Sequence, residues 1–281
     1  MISVELHTGV LLAAICGLLI GSFLNVVIHR LPKMLERQWA REAQEWGAST
    51  EVPAEAFNLW APASRCPHCA TPIRWHQNIP VVSYVFLRGR CSHCQAAISG
   101  RYPSVELATA GLFALCVARW GWTPAGALWC VFSSTLLALA IIDWETTLLP
   151  DVMVLPLLWL GLIAADLHGS ETSLPDALWG AVAGYLSLWS VYWVFKLLTG
   201  KEGMGFGDFK LLACLGAWFG WQMLIPLILL SSMVGTVAGL TLKWRGALRE
   251  GGYMPFGPFL AGAGCLCLAV EPRFFLNALG L

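Results

Sequence analysis

The chain has 281 residues, 57% of them hydrophobic and only 12% charged, with 15 Trp and a mean hydropathy of +0.66. A soluble globular domain carries about 25% charged residues, so this composition excludes one and describes a polytopic membrane protein. Basic and acidic side chains balance, 17 against 17, which excludes a generally basic nucleic-acid binder.

The first apolar run, residues 7–28, is too long for the hydrophobic part of a signal peptide and no small-residue cleavage site follows it. It is therefore expected to be a span rather than a removable leader. At about 20 apolar residues per span, seven more candidates follow: 104–120, 124–142, 152–168, 176–198, 209–220, 222–242 and 256–276, the sixth of them short. The expected fold is an all-α polytopic membrane protein of about eight transmembrane helices, with a small cytoplasmic zinc-stapled loop module. Lys and Arg stay on the cytoplasmic side. With the N-terminus outside, the polar segment 29–103 is cytoplasmic and carries Arg30, Lys33, Arg37, Arg41, Arg65, Arg74, Arg88, Arg90 and Arg101. The short inner loops add Lys196, Lys201, Lys210, Lys243, Arg245 and Arg249, leaving only Arg119 and Arg273 outside. Three regions result: a first transmembrane helix (1–28), a cytoplasmic domain (29–103) and a multi-helix transmembrane core (104–281).

Within the cytoplasmic segment, residues 33–58 mix both charge signs, with a helical pattern at the start, and are expected to form a solvated helix. Beyond them, "CPHC" (Cys66, Cys69) and "CSHC" (Cys91, Cys94) are two knuckles. Each lets two thiolates reach one ion, and two together make a closed tetrahedral zinc site. A reducing cytosol disfavours disulfides, so metal ligation is preferred over a redox pair or four unrelated thiols. Four sulfurs fill the shell, which leaves His68 and His93 to the surface. The stretch between the knuckles, with Pro72, Pro80 and a β-branched run, suggests a small hairpin. A unit this small needs a staple, so residues 62–100 are read as a zinc-stabilised module. Cysteines 16, 116, 130, 214, 265 and 267 lie in apolar runs and read as packing residues.

Acidic residues near the membrane invite a functional reading, but aspartate is also a favoured helix N-cap. Asp151 in "LLPDVMVL" and Asp176 in "SLPDALWG" are explained as caps, and Asp208 in "GMGFGDFK" could be one too. Asp143 differs. It ends the third span, where the helix dipole disfavours an anion, so something other than helix termination should keep it. The topology places Asp143 and Asp208 at the same depth. Two close carboxylates cannot both ionise easily and share a proton, one serving as acid and the other as base, which is the apparatus of an aspartic protease. Asp208, at a helix N-terminus, would lean toward the anion and Asp143 toward the acid, although titration belongs to the pair. Gly205 and Gly207 would let a substrate backbone approach Asp208 and would permit positive φ. A plain turn is the alternative for both glycines.

Six stretches resemble the type IV prepilin peptidases, in order and over nearly the whole chain: "GSFLNVVIHRLP" (21–32), "CPHC…CSHC", "RYPSVELATA" (101–110), "IIDWETTLLPD" (141–151), "KEGMGFGDFKLL" (201–212) and "PFGPFLA" (255–261). The resemblance implies an aspartate pair, one in a D-x6-PD segment and one in GxGD, and these motifs fall on Asp143 and Asp208. It also implies cleavage of the basic leader of prepilins and pseudopilins after a glycine, on the cytoplasmic face of the bacterial inner membrane. Methylation of the new N-terminus from S-adenosylmethionine would follow. No Gly-rich strand–turn–helix fingerprint marks a methyl-donor site. Asn25, His29 and Arg30 suit helix packing as well as substrate contact. Glu106 suits either a first-turn acid or a partner for the substrate's positive N-terminus. The rival readings are a proton-coupled transporter, for which no internal repeat is seen, a presenilin-type intramembrane protease, and a non-catalytic zinc-stapled scaffold.

Overall fold

The computed structural model describes residues 2–47, 57–246, 254–270 and 274. Arg249, Arg273 and the last residues of the eighth expected span lie outside them. The chain divides into two compact units, Met1–Gly121 and Trp122–Leu281. It is an all-α polytopic membrane protein, and each expected span falls on a helix.

The first unit holds α1 (Ile2–Glu45), α2 (Val82–Phe86) and α3 (Arg101–Trp120). At about 1.5 Å per residue α1 is about 66 Å long, twice the hydrocarbon core of about 30 Å. The first span and the start of the solvated helix expected over 33–58 are thus one helix, continuous through Pro32 and ending at Glu45, while residues 48–56 lie outside the described ones. Arg30 fastens its polar half: Nη1 donates to Asn58 O at 2.8 Å and Nη2 to Pro62 O at 2.6 Å. Arg37 lies over the Phe57 ring at 4.2 Å. The apolar half packs on α3 through Gly17 and Gly21. A Cβ on Gly17 would lie 2.6 Å from Ala110 Cα, and one on Gly21 would lie 2.7 Å from Glu106 Cα. Small residues four apart let helix backbones touch where lipid supplies no hydrophobic drive. Leu11, Leu12, Ile15 and Leu19 stay exposed, which suits lipid rather than water.

The second unit holds α4 (Pro124–Thr146), α5 (Asp151–Asp166), α6 (Leu174–Thr199), α7 (Phe206–Phe219), α8 (Leu224–Trp244) and α9 (Gly257–Ala269). Helix starts follow from local chemistry. Thr123 Oγ1 accepts the Gly126 N–H before Pro124 opens α4, and Ser173 Oγ accepts the Asp176 N–H before α6, the usual N-cap and first-turn proline arrangement. Among the described residues, four stretches are long and apolar enough to cross a bilayer: His7–Glu45 of α1, α4, α6 and Trp221–Trp244, which contains α8.

The sixth expected span, α7, has 14 residues, about 21 Å, too short to cross alone. Its surroundings explain why it need not. From Asp208 to Phe219 every residue except Lys210 is buried by the other helices. Gly180 of α6 and Gly216 of α7 face each other so closely that neither tolerates a side chain, and a Cβ on Gly184 would lie 2.8 Å from Leu212 O. Trp218 donates its indole N–H to Leu157 O of α5 at 2.9 Å and stacks on Phe132 of α4 with ring centroids 4.5 Å apart. This central helix carries Asp208 at its first turn, on a frame with little freedom to shift.

Candidate active site and metal centre

Within the second unit the C-terminus of α4 meets the N-termini of α5, α7 and α9. Asp143 lies in the last turn of α4, where the chain leaves through Thr147 at φ +57°, its N–H donating to Asp143 O at 2.8 Å. A β-branched residue in the left-handed region is an outlier, and such conformations cluster at functional sites. Asp208 is the third residue of α7. Each aspartate is only 4% exposed, and the charge of Asp143 is felt at Asp208. Two carboxylates far apart along the chain are therefore neighbours in a dry setting.

Two groups that sequence reasoning did not single out bound this pair. Gly257, the first residue of α9, lies directly against Asp143, for a Cβ there would sit 2.5 Å from Oδ2. The positive end of α9 thus meets the carboxylate that the negative end of α4 disfavours. Leu149, between α4 and α5, touches Gly207 on one side and Gly257 on the other. The loop before α7 is pinned by Lys196, which donates to Glu202 Oε1 at 2.8 Å and Tyr192 Oη at 3.1 Å. That ammonium holds the Glu202 carboxyl below the usual carboxylate range.

The capping readings need revision. Asp151 is not an N-cap, a position held by Pro150. It is the first helical residue, and both its carboxylate oxygens accept from Lys210 Nζ of α7 at 2.7 Å. Asp176 is not the N-cap of α6 either. Ser173 is, and Asp176 accepts from Ser173 Oγ at 2.6 Å and Trp221 Nε1 at 3.0 Å. Asp208 is not the N-cap of α7 either: Gly205 holds that position, and Asp208 lies in the first turn. The expected positive φ does not occur. Gly205 has φ −80°, and Gly207 is not among the positive-φ residues. A Cβ on Gly207 would meet Leu149 at 2.8 Å, whereas one on Gly205 would meet nothing nearer than Asp208 Oδ2 at 4.0 Å. The open backbone is at Gly205.

In the first unit the four cysteines converge. The sulfurs of Cys66, Cys69, Cys91 and Cys94 all lie within 4.8 Å of one another, and Cys66 Sγ is 3.8 Å from Cys94 Sγ. Zn–S bonds of about 2.3 Å put tetrahedral sulfurs about 3.8 Å apart, so the cluster fits such an ion. Cys69 Sγ also donates to Thr71 Oγ1 at 3.3 Å. The knuckles are built alike: Ala70 and Gln95, each following the second cysteine, turn at positive φ and donate to Cys66 O and Cys91 O. His68 and His93 are exposed. The expected hairpin is absent. Among the described residues the module has only two isolated bridges, Arg65–Pro72 and Arg90–Ala97, and the β-branched run forms α2.

Glu106 is not a first-turn acid. It is buried, and its Oε2 accepts the N–H of Val81 at 2.7 Å, tying α3 to the start of α2. The spacing of an acid from a helix start cannot reveal a partner in a distant loop. Asn25 Nδ2 donates to Gly21 O and Tyr102 O, the packing role.

The model of the bacterial peptidase A24 N-terminal domain matches residues 15–120, and that of the type IV leader peptidase family matches residues 130–240. A prepilin leader peptidase/N-methyltransferase of Stutzerimonas stutzeri is 55% identical over 92% of this chain and 90% of its own length. The protein of that name from Pseudomonas aeruginosa is 56% identical over 92% and 89%. That of Burkholderia pseudomallei strain 1026b is 48% identical over 96% and 89%. The chain belongs to the type IV leader peptidase family. Both cysteine knuckles lie in the segment matched by the N-terminal model, and both aspartates lie in the segment matched by the type IV leader peptidase model. No solved structure matches the chain.

Proposed function

We propose that this chain removes the leader peptide from type IV prepilins and pseudopilins and then methylates the N-terminal residue so exposed, with Asp143 and Asp208 as the catalytic pair. One observation carries the reading: two buried carboxylates made neighbours at the meeting of α4, α7 and α9, in a chain more than half identical to proteins named for both activities. Desolvated carboxylates this close hold one proton between them. The ionised member takes a proton from a water molecule, whose oxygen adds to the scissile carbonyl carbon. The protonated member donates a hydrogen bond to the carbonyl oxygen. Collapse of the tetrahedral species breaks the C–N bond, and the leaving amine takes up a proton from the pair. The open backbone at Gly205, with Gly207 behind it, forms the approach for the substrate strand.

The distribution of Lys and Arg supports a multi-pass protein of the bacterial inner membrane, N-terminus periplasmic and segment 29–103 cytoplasmic. A prepilin's apolar helix then lies among the lipids beside the spans while its basic leader stays in the cytosol. Zinc in the four-cysteine site is structural, because four thiolates leave no open coordination position. S-adenosylmethionine supplies the methyl group. No residue here is assigned to it, and the described residues form no strand from which a Rossmann-type cradle could be built.

Membranes containing the chain, incubated with a prepilin and S-adenosylmethionine, test the reading by mass spectrometry of the product. The expected product lacks the leader up to the glycine and carries one methyl group on its new N-terminus. Intact prepilin, or cuts inside its apolar helix as a presenilin-type protease would make, contradicts it.

A further inference from the structure

We propose that Leu149 is a spacer that sets the separation of the Asp143 and Asp208 carboxylates, a positioning role that rests on the reading of those two as the catalytic pair. Its backbone is fixed on both sides. Thr147 is locked in the left-handed region with its N–H on Asp143 O, and Pro150 caps α5 at φ −65°. The Leu149 side chain is buried, only 9% exposed, so it cannot swing into solvent.

What it touches gives it the role. Leu149 Cβ occupies a point 2.8 Å from where a Cβ of Gly207 would stand, and Leu149 Cδ1 a point 3.1 Å from where one of Gly257 would stand. Gly207 immediately precedes Asp208 in α7. Gly257 opens α9 and lies against Asp143 Oδ2. One aliphatic side chain therefore fills the room that two glycines leave free, one beside each acid. The starts of α7 and α9 can approach no closer than its width, and as an isobutyl group it offers water no partner behind the pair. The same contacts make the two glycines unequal. The three atoms nearest a Cβ on Gly207 all belong to Leu149, whereas a Cβ on Gly257 meets both Leu149 and the Asp143 carboxylate.

That inequality gives a test on the full-length protein in detergent, with a prepilin as substrate and methylation of already cleaved pilin as the measure of folding. Leu149→Ala is expected to lower cleavage kcat about 100-fold with KM nearly unchanged, the scale of a displacement of about 1 Å at a reacting group. It should also widen the interval between the acid and alkaline limbs of the kcat–pH profile, which reports coupling within the pair. Gly207→Ala should be similarly impaired. The nearest Leu149 atom is its Cβ, so adding Leu149→Gly, which removes that atom, should raise cleavage at least about tenfold above Gly207→Ala alone, a coupling expected of residues in contact. Gly257→Ala should gain nothing from Leu149→Gly, because its methyl still meets Asp143. Should the double variant fail to fold, Leu149→Ala and Gly207→Ala must each still lower cleavage kcat with KM nearly unchanged while methylation of cleaved pilin persists. The spacer role is overturned if the Gly207→Ala double variant does no better than its parent, if Gly257→Ala is rescued equally, or if Leu149→Ala changes thermal stability alone. Asp143→Asn and Asp208→Asn, run alongside, separate the two failures. If both are inactive while the rescue fails, only the spacer falls; if either still cleaves, the pair itself falls.

Discussion

At the scale of single residues, an aspartate at the C-terminus of a helix is out of place by the dipole rule, and Asp143 stands out in the sequence for that reason. That it shares one end of the helices with Asp208 was legible from chain order alone. What answers the misplaced charge was not: Gly257 and Leu149 have no ionisable atom, and a leucine in an apolar chain gives no chemical signal. The same limit applies to Asp151, whose proline-preceded position imitates a cap while its carboxylate in fact holds Lys210. That pair is partly exposed, with 54% of the Asp151 side chain accessible, and such pairs contribute about 0–1 kcal/mol. Asp151→Asn is therefore expected to leave cleavage kcat within about tenfold of wild type and to shift the unfolding temperature little. A loss as deep as that of Asp143→Asn would show that Asp151 takes part in the chemistry.

At the scale of elements, hydrophobic run length located each long apolar helix but not its extent or company. The β-branched stretch between the knuckles reads as strand by propensity and folds as α2, because Glu106 takes the Val81 N–H at its start and Ser83 accepts the N–H of Ile79. Tertiary partners outweigh propensity in so short a segment. Helix α7 is short because protein rather than lipid encloses it, and glycines make that enclosure possible. Gly180→Ala would drive a methyl into the Gly216 backbone and is expected to destabilise the second unit by about 1–3 kcal/mol, the usual cost of overpacking. Gly262→Ala, where an added Cβ meets nothing within 4 Å, should be neutral or stabilising by about 0.5–1 kcal/mol. Thermal unfolding of both variants in one detergent checks the pair. Equal effects would mean that the α6–α7 contact is not close-packed.

At the scale of the whole molecule, the two compact units carry separate chemistry: four thiols in one and two carboxylates in the other. The cysteine spacing was readable because metal geometry constrains it tightly, whereas nothing in the sequence announced that α1 would run unbroken through Pro32. Cys66→Ser or Cys94→Ser should release the metal and expose residues 57–100 to protease while leaving the helices of the second unit folded, since structural zinc contributes folding energy locally. Metal analysis and limited proteolysis read this directly, and purified protein without stoichiometric zinc would contradict it. The account depends most on the carboxylate pair. The rate of leader removal by Asp143→Asn and by Asp208→Asn, measured separately in membranes with equal amounts of folded protein, tests it most directly. Each variant is expected to lose cleavage by at least about 1,000-fold, as when either member of a concerted catalytic pair is removed, while still methylating pilin supplied already cleaved. Cleavage at near wild-type rate by either one would contradict the account.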